Sequence, residues 1–142
     1  MNERTPGAEV KIIRVAPEVN DYLRLREQAG MSPRSAEGAA TGLANSIFAV
    51  SLHDASGLAG MGRIVGDGGC FLQVVDIIVR PDLQGKGLGK RIMGEIMGFL
   101  EGHALPLTYV SLIADVPADP LYRSFGFEYT APSGLGMYWR KQ

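Results

Sequence analysis

Three glycines alternate in a short stretch that follows an apolar run. The stretch is RPDLQGKGLGKRI, residues 80–92, with Gly85, Gly87 and Gly89 at every second position. A turn that leaves a strand and enters a helix presents unpaired backbone N–H groups at the positive end of the helix dipole. Glycines let such amides converge on an anion, so the stretch predicts a pyrophosphate-binding loop. A tight turn that binds no ligand would use the same glycines.

Two common nucleotide-binding loops do not fit this spacing. A Walker loop needs Ser or Thr after Gly-Lys and a glycine five positions before that pair, but Arg91 follows Lys90 and position 84 is Gln84. A dinucleotide-binding loop needs a third glycine at its sixth position, which is Lys90 when the count starts at Gly85. The spacing therefore excludes both types.

The spacing of apolar residues predicts the elements around this loop, in the order β-α-α-β-β-β-α-β-α-β. The longest strand spans Cys70–Arg80, and a helix at Gly87–Glu101 follows the loop, with Gly102 as its C-terminal cap. This helix joins two strands as a right-handed crossover would, so we expect those strands to be parallel. The stretch LGMYWRK predicts a last strand near the C-terminal end.

Length and composition indicate one globular domain. The chain has 142 residues, 46% of them hydrophobic, and a formal net charge of −1, which argues against nucleic-acid binding. We expect residues 1–9 to form a loose polar arm and residues 10–142 a single domain. Cys70 is the only cysteine, so no thiolate metal cluster is expected. The N-terminal residues carry no apolar signal segment and no run is long enough to span a membrane, which predicts a soluble cytoplasmic protein.

The loop and a second stretch together resemble the GNAT acetyltransferase superfamily. Motif A of that family is Q/R-x-x-G-x-G/A after a V-x-P strand end. The matching residues are Val79, Pro81, Gln84, Gly87 and Gly89. The second stretch, SLIADVPADPLYRSFGF, resembles the family's fifth strand and the helix after it, and its matching residues are Ala114, Tyr122, Gly126 and Phe127. The segments around FLQVVDIIV and GLGMYW are also similar to a small bacterial and plastid branch with serotonin N-acetyltransferase-like enzymes.

The resemblance implies an α+β fold of mixed type. Its central, mostly antiparallel sheet would have six to seven strands flanked by helices, with two parallel strands splayed around acetyl-CoA. Loop amides would bind the cofactor's pyrophosphate, the strand backbone would pair with pantetheine, and an N–H near Ile78 would polarise the thioester carbonyl. The implied cofactor-binding residues are Ile77, Ile78, Val79, Gln84, Gly85, Lys86, Gly87, Leu88, Gly89, Lys90 and Tyr122.

The implied reaction is direct attack of a primary amine on the thioester, after the amine, with a pKa of about 10, has lost a proton. Asp76, the only ionisable residue of FLQVVDIIV, is the first candidate base, with a core aspartate that hydrogen-bonds neighbouring backbone as the alternative. Asp115 is the second candidate, with a helix cap as its alternative. Tyr122 matches the family tyrosine that protonates the leaving thiolate. A core tyrosine that packs under the cofactor is its alternative.

The sequence indicates the identity of the acceptor less clearly than that of the cofactor. The family forms its acceptor entrance from the first two helices, where Arg24, Arg26 and Arg34 could select an acidic acceptor or be solvated. A small-molecule amine is the first choice, and a protein lysine or N-terminal amine is the second. A non-catalytic acyl-CoA-binding module and a nucleotide-binding protein are alternatives from other classes. Many relatives pair as dimers, which leaves a homodimer open.

Overall fold

The computed structural model describes residues 9–142, in two compact units that meet in sequence between Leu112 and Ile113. The described elements of the first unit are β1 (Lys11–Ile13), α1 (Val19–Gln28), α2 (Ala36–Ala44), β2 (Phe48–Asp54), β3 (Gly57–Gly66), β4 (Phe71–Val79), a 3₁₀ turn (Pro81–Leu83), α3 (Leu88–His103) and β5 (Tyr109–Leu112). The second unit contains α4 (Asp119–Arg123). The predicted polar arm lies outside the described residues except for Glu9, and the single domain at 10–142 stays a prediction.

The five strands form one sheet in the order β1-β2-β3-β4-β5. Every neighbouring pair is antiparallel except β4 and β5, which are parallel and are joined through α3. The mixed, mostly antiparallel sheet with flanking helices confirms the predicted fold class, and the parallel pair confirms the expected crossover. The strand number is lower than the predicted six to seven.

The predicted last strand is absent from the part of the chain that the structure describes. Residues 135–141 have no strand conformation, and the large side chains of Met137, Tyr138 and Trp139 are at least 82% exposed. A strand requires a neighbour to hydrogen-bond with. The alternating pattern of LGMYWRK was therefore not sufficient to form a strand, because the second unit contains no other strand with which it could pair.

Helices cover the two faces of the sheet. On one face α1 and α2 pack against β3 and β4, around a core that includes Tyr22, Leu25, Leu43, Met61 and Ile78. On the other face α3 buries its apolar stripe, which consists of Leu88, Ile92, Met93, Ile96 and Leu100. No helix within residues 9–142 is long and apolar enough to cross a membrane.

Local sequence signals predict one helix end correctly and another incorrectly. The hydroxyl of Ser35 accepts a hydrogen bond from the Gly38 amide (2.9 Å), as expected for the cap of α2. Gly102 is not the cap of α3, because the helix continues to His103 and ends at Ala104, whose φ of −67° is not left-handed. The amide of Ala104 bonds to the Leu100 carbonyl instead, which keeps Gly102 inside the helix.

A β-bulge interrupts the pairing of β3 with β4. Met61 pairs with Ile78 and Arg63 pairs with Val75, so two residues of β4 lie opposite the single residue Gly62. A Cβ on Gly62 would lie 2.5 Å from Cγ2 of Ile92 and 2.7 Å from Cδ1 of Ile77. The missing side chain therefore lets α3 approach the sheet directly behind the bulge.

We predict that Gly62→Ala destabilises the protein by about 1–3 kcal/mol, because the added methyl group overpacks this contact. Urea denaturation monitored by circular dichroism measures the change. Gly94→Ala in α3 is the matched control, since its Cβ would meet no atom within 4 Å. That control should be neutral or slightly stabilising, because alanine favours the helix over glycine. Equal free energies of unfolding for the two variants would contradict the prediction.

Candidate functional site

The glycine loop leaves β4 through the 3₁₀ turn and enters α3. The side chain of Gln84 donates from Nε2 to the carbonyl of Val79 (3.1 Å), which holds the end of the turn against the end of the strand. Gly85 and Gly87 follow with φ values of +80° and +84°, in the left-handed region that favours glycine. A Cβ at either glycine would meet no protein atom within 4 Å. Both glycines therefore border open space, where a ligand could approach the backbone.

The N-terminus of α3 presents its first amides to this space. The first intrahelical hydrogen bond runs from the Arg91 amide to the Gly87 carbonyl (3.1 Å), so the amides of Leu88, Gly89 and Lys90 precede the ladder. The N-cap Gly87 has no side chain that could satisfy them, and the first turn contains no acidic residue. Together with the helix dipole, this arrangement favours an anion.

Next to the loop, β4 has an edge without a partner strand. Its pairing with β5 ends at Val74 and Leu112, whereas β4 continues to Val79. Residues 75–79 therefore have β3 on one side and no strand of β5 on the other. This edge of the backbone, which β5 leaves unpaired, could pair with an extended ligand by strand addition. It includes Ile77, Ile78 and Val79, the residues that the sequence predicted for this role.

The bulge carries a buried ion cluster centred on Asp76. One oxygen of its carboxylate accepts from Nη1 of Arg26 (2.6 Å). The other accepts from Nε of Arg63 and from the hydroxyl of Tyr22, both at 2.8 Å. The side chains of Asp76 and Arg26 are 6% and 4% exposed. Burial and the Asp76 carboxylate raise the pKa of Tyr22, so its hydroxyl stays protonated and donates to Asp76.

The bulge decides which side of the sheet Asp76 faces. Regular alternation would point Asp76 away from Val75 and into the apolar stripe of α3. The backbone of Asp76 is left-handed instead, with a φ of +57°, and its side chain turns towards Tyr22 and Arg26 of α1. This conformation disfavours a non-glycine residue by about 1–2 kcal/mol, and the three partners of the carboxylate offset that cost.

The arginines of the cluster have further roles in the packing. Arg26 donates from Nε and Nη2 to the carbonyl of Ser32 (3.0 and 2.8 Å), so it is not the solvated residue considered above. Arg63, which sequence analysis missed, donates from Nη1 to the carbonyl of Gly42 (3.1 Å) near the end of α2. The sequence feature that could have indicated Arg63 is its position as the only charged residue of the strand GLAGMGRIVG. The next strand, FLQVVDIIV, likewise has a single charged residue, Asp76. Arg34 is exposed, as is Arg24.

Asp76 was predicted as a base, and that role stays a prediction. The alternative was a core aspartate that hydrogen-bonds neighbouring backbone, whereas the carboxylate accepts its hydrogen bonds from three side chains. Three donors contact the two carboxylate oxygens, which leaves about one of the four acceptor sites of the carboxylate for a proton. The contacts of Asp76 therefore fix the conformation of the bulge.

Two predicted residues, Asp115 and Tyr122, belong to the second unit. Asp115 is exposed and does not cap α4, whose N-cap is Ala118 without a side-chain hydrogen bond. Its backbone carbonyl accepts from the Ala118 amide (2.6 Å). Tyr122 lies half-buried in α4, and burial together with the Asp115 carboxylate raises the pKa of its hydroxyl. Tyr122 therefore stays protonated around neutral pH and can act as a proton donor.

We predict that Asp76→Asn lowers the free energy of unfolding by about 3–5 kcal/mol, because it leaves two buried guanidinium groups without a carboxylate. Tyr22→Phe, which removes one hydrogen bond of the same cluster, should lower it by about 1 kcal/mol. Urea denaturation of both variants measures the difference. A loss for Asp76→Asn no larger than that for Tyr22→Phe would show that the ion pairs do not stabilise the bulge.

Known proteins are similar to this chain in sequence and in fold. Residues 44–129 match the family description "Acetyltransferase (GNAT) domain". A histone acetyltransferase of Glycine max is 30% identical over 134 residues, which cover 86% of this chain and 57% of that protein. The uncharacterized N-acetyltransferase ycf52 of Gracilaria tenuistipitata is 29% identical, with coverage of 85% and 68%. The chain thus spans 57% of the length of the first of these curated relatives and 68% of the second.

Solved protein structures are also similar to this chain. A Staphylococcus aureus protein of unknown function, described as a probable acetyltransferase, has a TM-score of 0.89 and 47% identity, and the match covers 93% of this chain and 99% of that one. A GNAT family acetyltransferase of Streptococcus pneumoniae has a TM-score of 0.77 and 28% identity, with coverage of 94% and 98%. The chain therefore belongs to the GNAT acetyltransferase family.

Proposed function

We propose that this acetyltransferase transfers the acetyl group of acetyl-CoA to a primary amine, with a small-molecule amine as the first choice. The observation that carries the proposal is the loop of left-handed glycines before α3, next to the unpaired edge of β4. A pyrophosphate needs converging amides, and a pantetheine chain needs a free strand edge. The two features adjoin in one segment, residues 75–90.

The loop fits the pyrophosphate in both shape and charge. Gly85 and Gly87 leave open space where a side chain would obstruct an anion. The amides of residues 84–90 would bind the phosphates, and the exposed cations Lys86 and Lys90 would add charge from the rim. Residues Ile77, Ile78 and Val79 would pair with the pantetheine amides through their backbone, a mode that requires no particular side chain.

Acetyl-CoA supplies an activated thioester that a neutral amine attacks directly, through a tetrahedral intermediate. A backbone N–H near Ile78 would stabilise the negative charge that develops on the carbonyl oxygen. Asp115 is exposed and free of a capping role, which favours it as the base, directly or through water. For Asp76 we propose mainly a structural part, the fixing of the bulge from which Ile77–Val79 continue.

Tyr122 is the proposed general acid. Its raised pKa keeps the proton on the hydroxyl until the thiolate leaves. A thiol has a pKa of about 8.5, so the thiolate is a tolerable leaving group without help. Tyr122 should therefore accelerate the reaction without being indispensable.

A protein lysine or N-terminal amine is the second candidate acceptor. The observation in its favour is the similarity to the soybean histone acetyltransferase, although this chain covers only 57% of that protein. A free-thiol assay with a panel of small amines and of lysine peptides distinguishes the two. Binding of CoA without thiol release on any acceptor would indicate a non-catalytic acyl-CoA-binding module. A cytoplasmic location and a homodimer stay predictions.

We predict that Gly87→Ala raises the KM for acetyl-CoA about tenfold, because the left-handed conformation disfavours alanine by about 1–2 kcal/mol and the methyl group enters the phosphate site. Initial-rate measurements and CoA calorimetry report the effect. Gly98→Ala in α3, where a Cβ also meets no atom within 4 Å, is the control and should bind CoA normally. Equal CoA affinity in both variants would remove the loop from the cofactor site.

We predict that Tyr122→Phe lowers kcat by about 10²-fold, the lower end of the range for general acid catalysis, and leaves the KM for acetyl-CoA nearly unchanged. Steady-state kinetics on the best amine of the panel provides the test. Tyr138→Phe, at a tyrosine that is 82% exposed, is the matched control and should have the wild-type kcat. A rise in KM at constant kcat would instead indicate that Tyr122 only packs under the cofactor.

A further inference from the structure

Arg80 lies between β4 and the 3₁₀ turn, and its charged side chain is only 11% exposed. Its Nη1 and Nη2 donate to the two carboxylate oxygens of Asp54 at the end of β2 (3.1 and 2.6 Å). Nε and Nη2 donate to the two oxygens of Asp82 in the turn (2.7 and 3.3 Å). Nη1 also donates to the carbonyl of Leu58 in β3 (3.3 Å). One guanidinium thus ties the turn to the β2–β3 hairpin.

These contacts use every donor that the side chain has. A guanidinium has five N–H groups, and the five hydrogen bonds described above engage all of them. No donor of Arg80 remains for a phosphate or a substrate. Its effect on a ligand must therefore act through the residues that it holds in place.

The backbone of Arg80 leads directly into the glycine loop. Its amide donates to the Ala59 carbonyl (2.8 Å), and its carbonyl accepts from the Leu83 amide (2.9 Å). The Gln84 amide closes the turn on the Pro81 carbonyl (3.3 Å). The turn is thus bonded to itself, and Arg80 supplies its side-chain bonds to the hairpin. The position of the next residue, Gly85, depends on that attachment.

Charge gives Arg80 a second effect on the loop. Its hydrogen bonds lower the pKa of both Asp54 and Asp82, so the two carboxylates are ionised at neutral pH. The cluster contains two negative charges and one positive charge, close in sequence to a loop that favours anions. Loss of the guanidinium would leave two uncompensated carboxylates beside that loop, and these would repel a phosphate.

We propose that Arg80 is a positioning residue for the cofactor's pyrophosphate: it fixes the turn at 80–84 on the β2–β3 hairpin and offsets the charges of Asp54 and Asp82. The inference rests on the proposed function, since the pyrophosphate is that of CoA. In this proposal Arg80 contacts neither the cofactor nor the acceptor. The part of CoA that depends on Arg80 should therefore be the pyrophosphate and not the pantetheine arm.

The test compares the ligands CoA and pantetheine, which lacks the pyrophosphate. Arg80→Gln should weaken CoA binding, measured by calorimetry, about tenfold. The rise in Tm that millimolar pantetheine produces should equal that of the wild type. Arg14→Gln, which breaks the exposed pair of Arg14 with Glu95 (2.8 Å), is the matched control and should bind CoA as the wild type does.

Two further variants extend the test, and the first of them replaces Arg80→Gln if that variant folds poorly. Arg80→Lys retains the charge but has three donors in place of five and no planar fork, so it should show a smaller loss of CoA affinity than Arg80→Gln. Adding Asp82→Asn to Arg80→Gln removes one uncompensated charge and should recover roughly threefold in affinity. Asp82 is 64% exposed, so this second change should not disturb the fold.

Two results would overturn the inference while the proposed function stands: wild-type CoA affinity in both Arg80 variants, or an equal loss of CoA and pantetheine binding. The second result would mean that the whole unit has loosened and the pyrophosphate is not specifically affected. A wild-type protein that binds no CoA would overturn the proposed function itself, and the inference with it. A loss confined to CoA supports both.

Discussion

The rest of the structure depends on one constraint, the left-handed backbone at Asp76 within the inner strand β4. Aspartate adopts this conformation more readily than most non-glycine residues but still at a cost, and here two guanidinium groups and a phenol hold the carboxylate. The bulge turns the charge away from the apolar face of α3. It also reverses the side-chain alternation for the remainder of β4, so Ile78 faces the core formed by α1 and α2. The strand edge proposed for the pantetheine begins at this point.

Buried charge joins elements that are distant in sequence. Asp76 binds Arg26 of α1, which lies 50 residues earlier, and Arg80 binds Asp54, which lies 26 residues earlier. Each pair spans two elements, and the two clusters lie on either side of the proposed pantetheine edge at residues 77–79. Desolvated ion pairs add little net stability compared with apolar packing, but breaking one partner is strongly unfavourable. Their main consequence is therefore geometric: few alternative arrangements of the bulge and the turn keep every charge paired.

The features that the sequence predicted correctly have local causes. The glycine loop, the Ser35 cap and the parallel pair around α3 follow from backbone conformations that glycine permits, from a side chain three residues away, and from the alternation of strand and helix. The partners of Asp76 could not be predicted in this way, because alternation places its side chain on the wrong face unless the bulge is known. Local signals also failed for LGMYWRK, which has a strand pattern but no strand beside it, and for Gly102, which the continuing helix absorbed.

The difference between local and tertiary causes also explains why the sequence indicates a cofactor more clearly than an acceptor. Binding through backbone amides leaves a trace in the sequence, since Gly85 and Gly87 must be glycine for the amides to turn towards an anion. Acceptor binding uses side chains, whose positions depend on tertiary packing. Arg26 shows the difficulty: on α1 it resembles a solvated residue at an entrance, yet it is buried and committed to Asp76 and Ser32. Of the three arginines considered at the entrance, Arg24 and Arg34 are the exposed ones, and Arg34 already donates from Nη1 to Ser32 and to the Pro33 carbonyl.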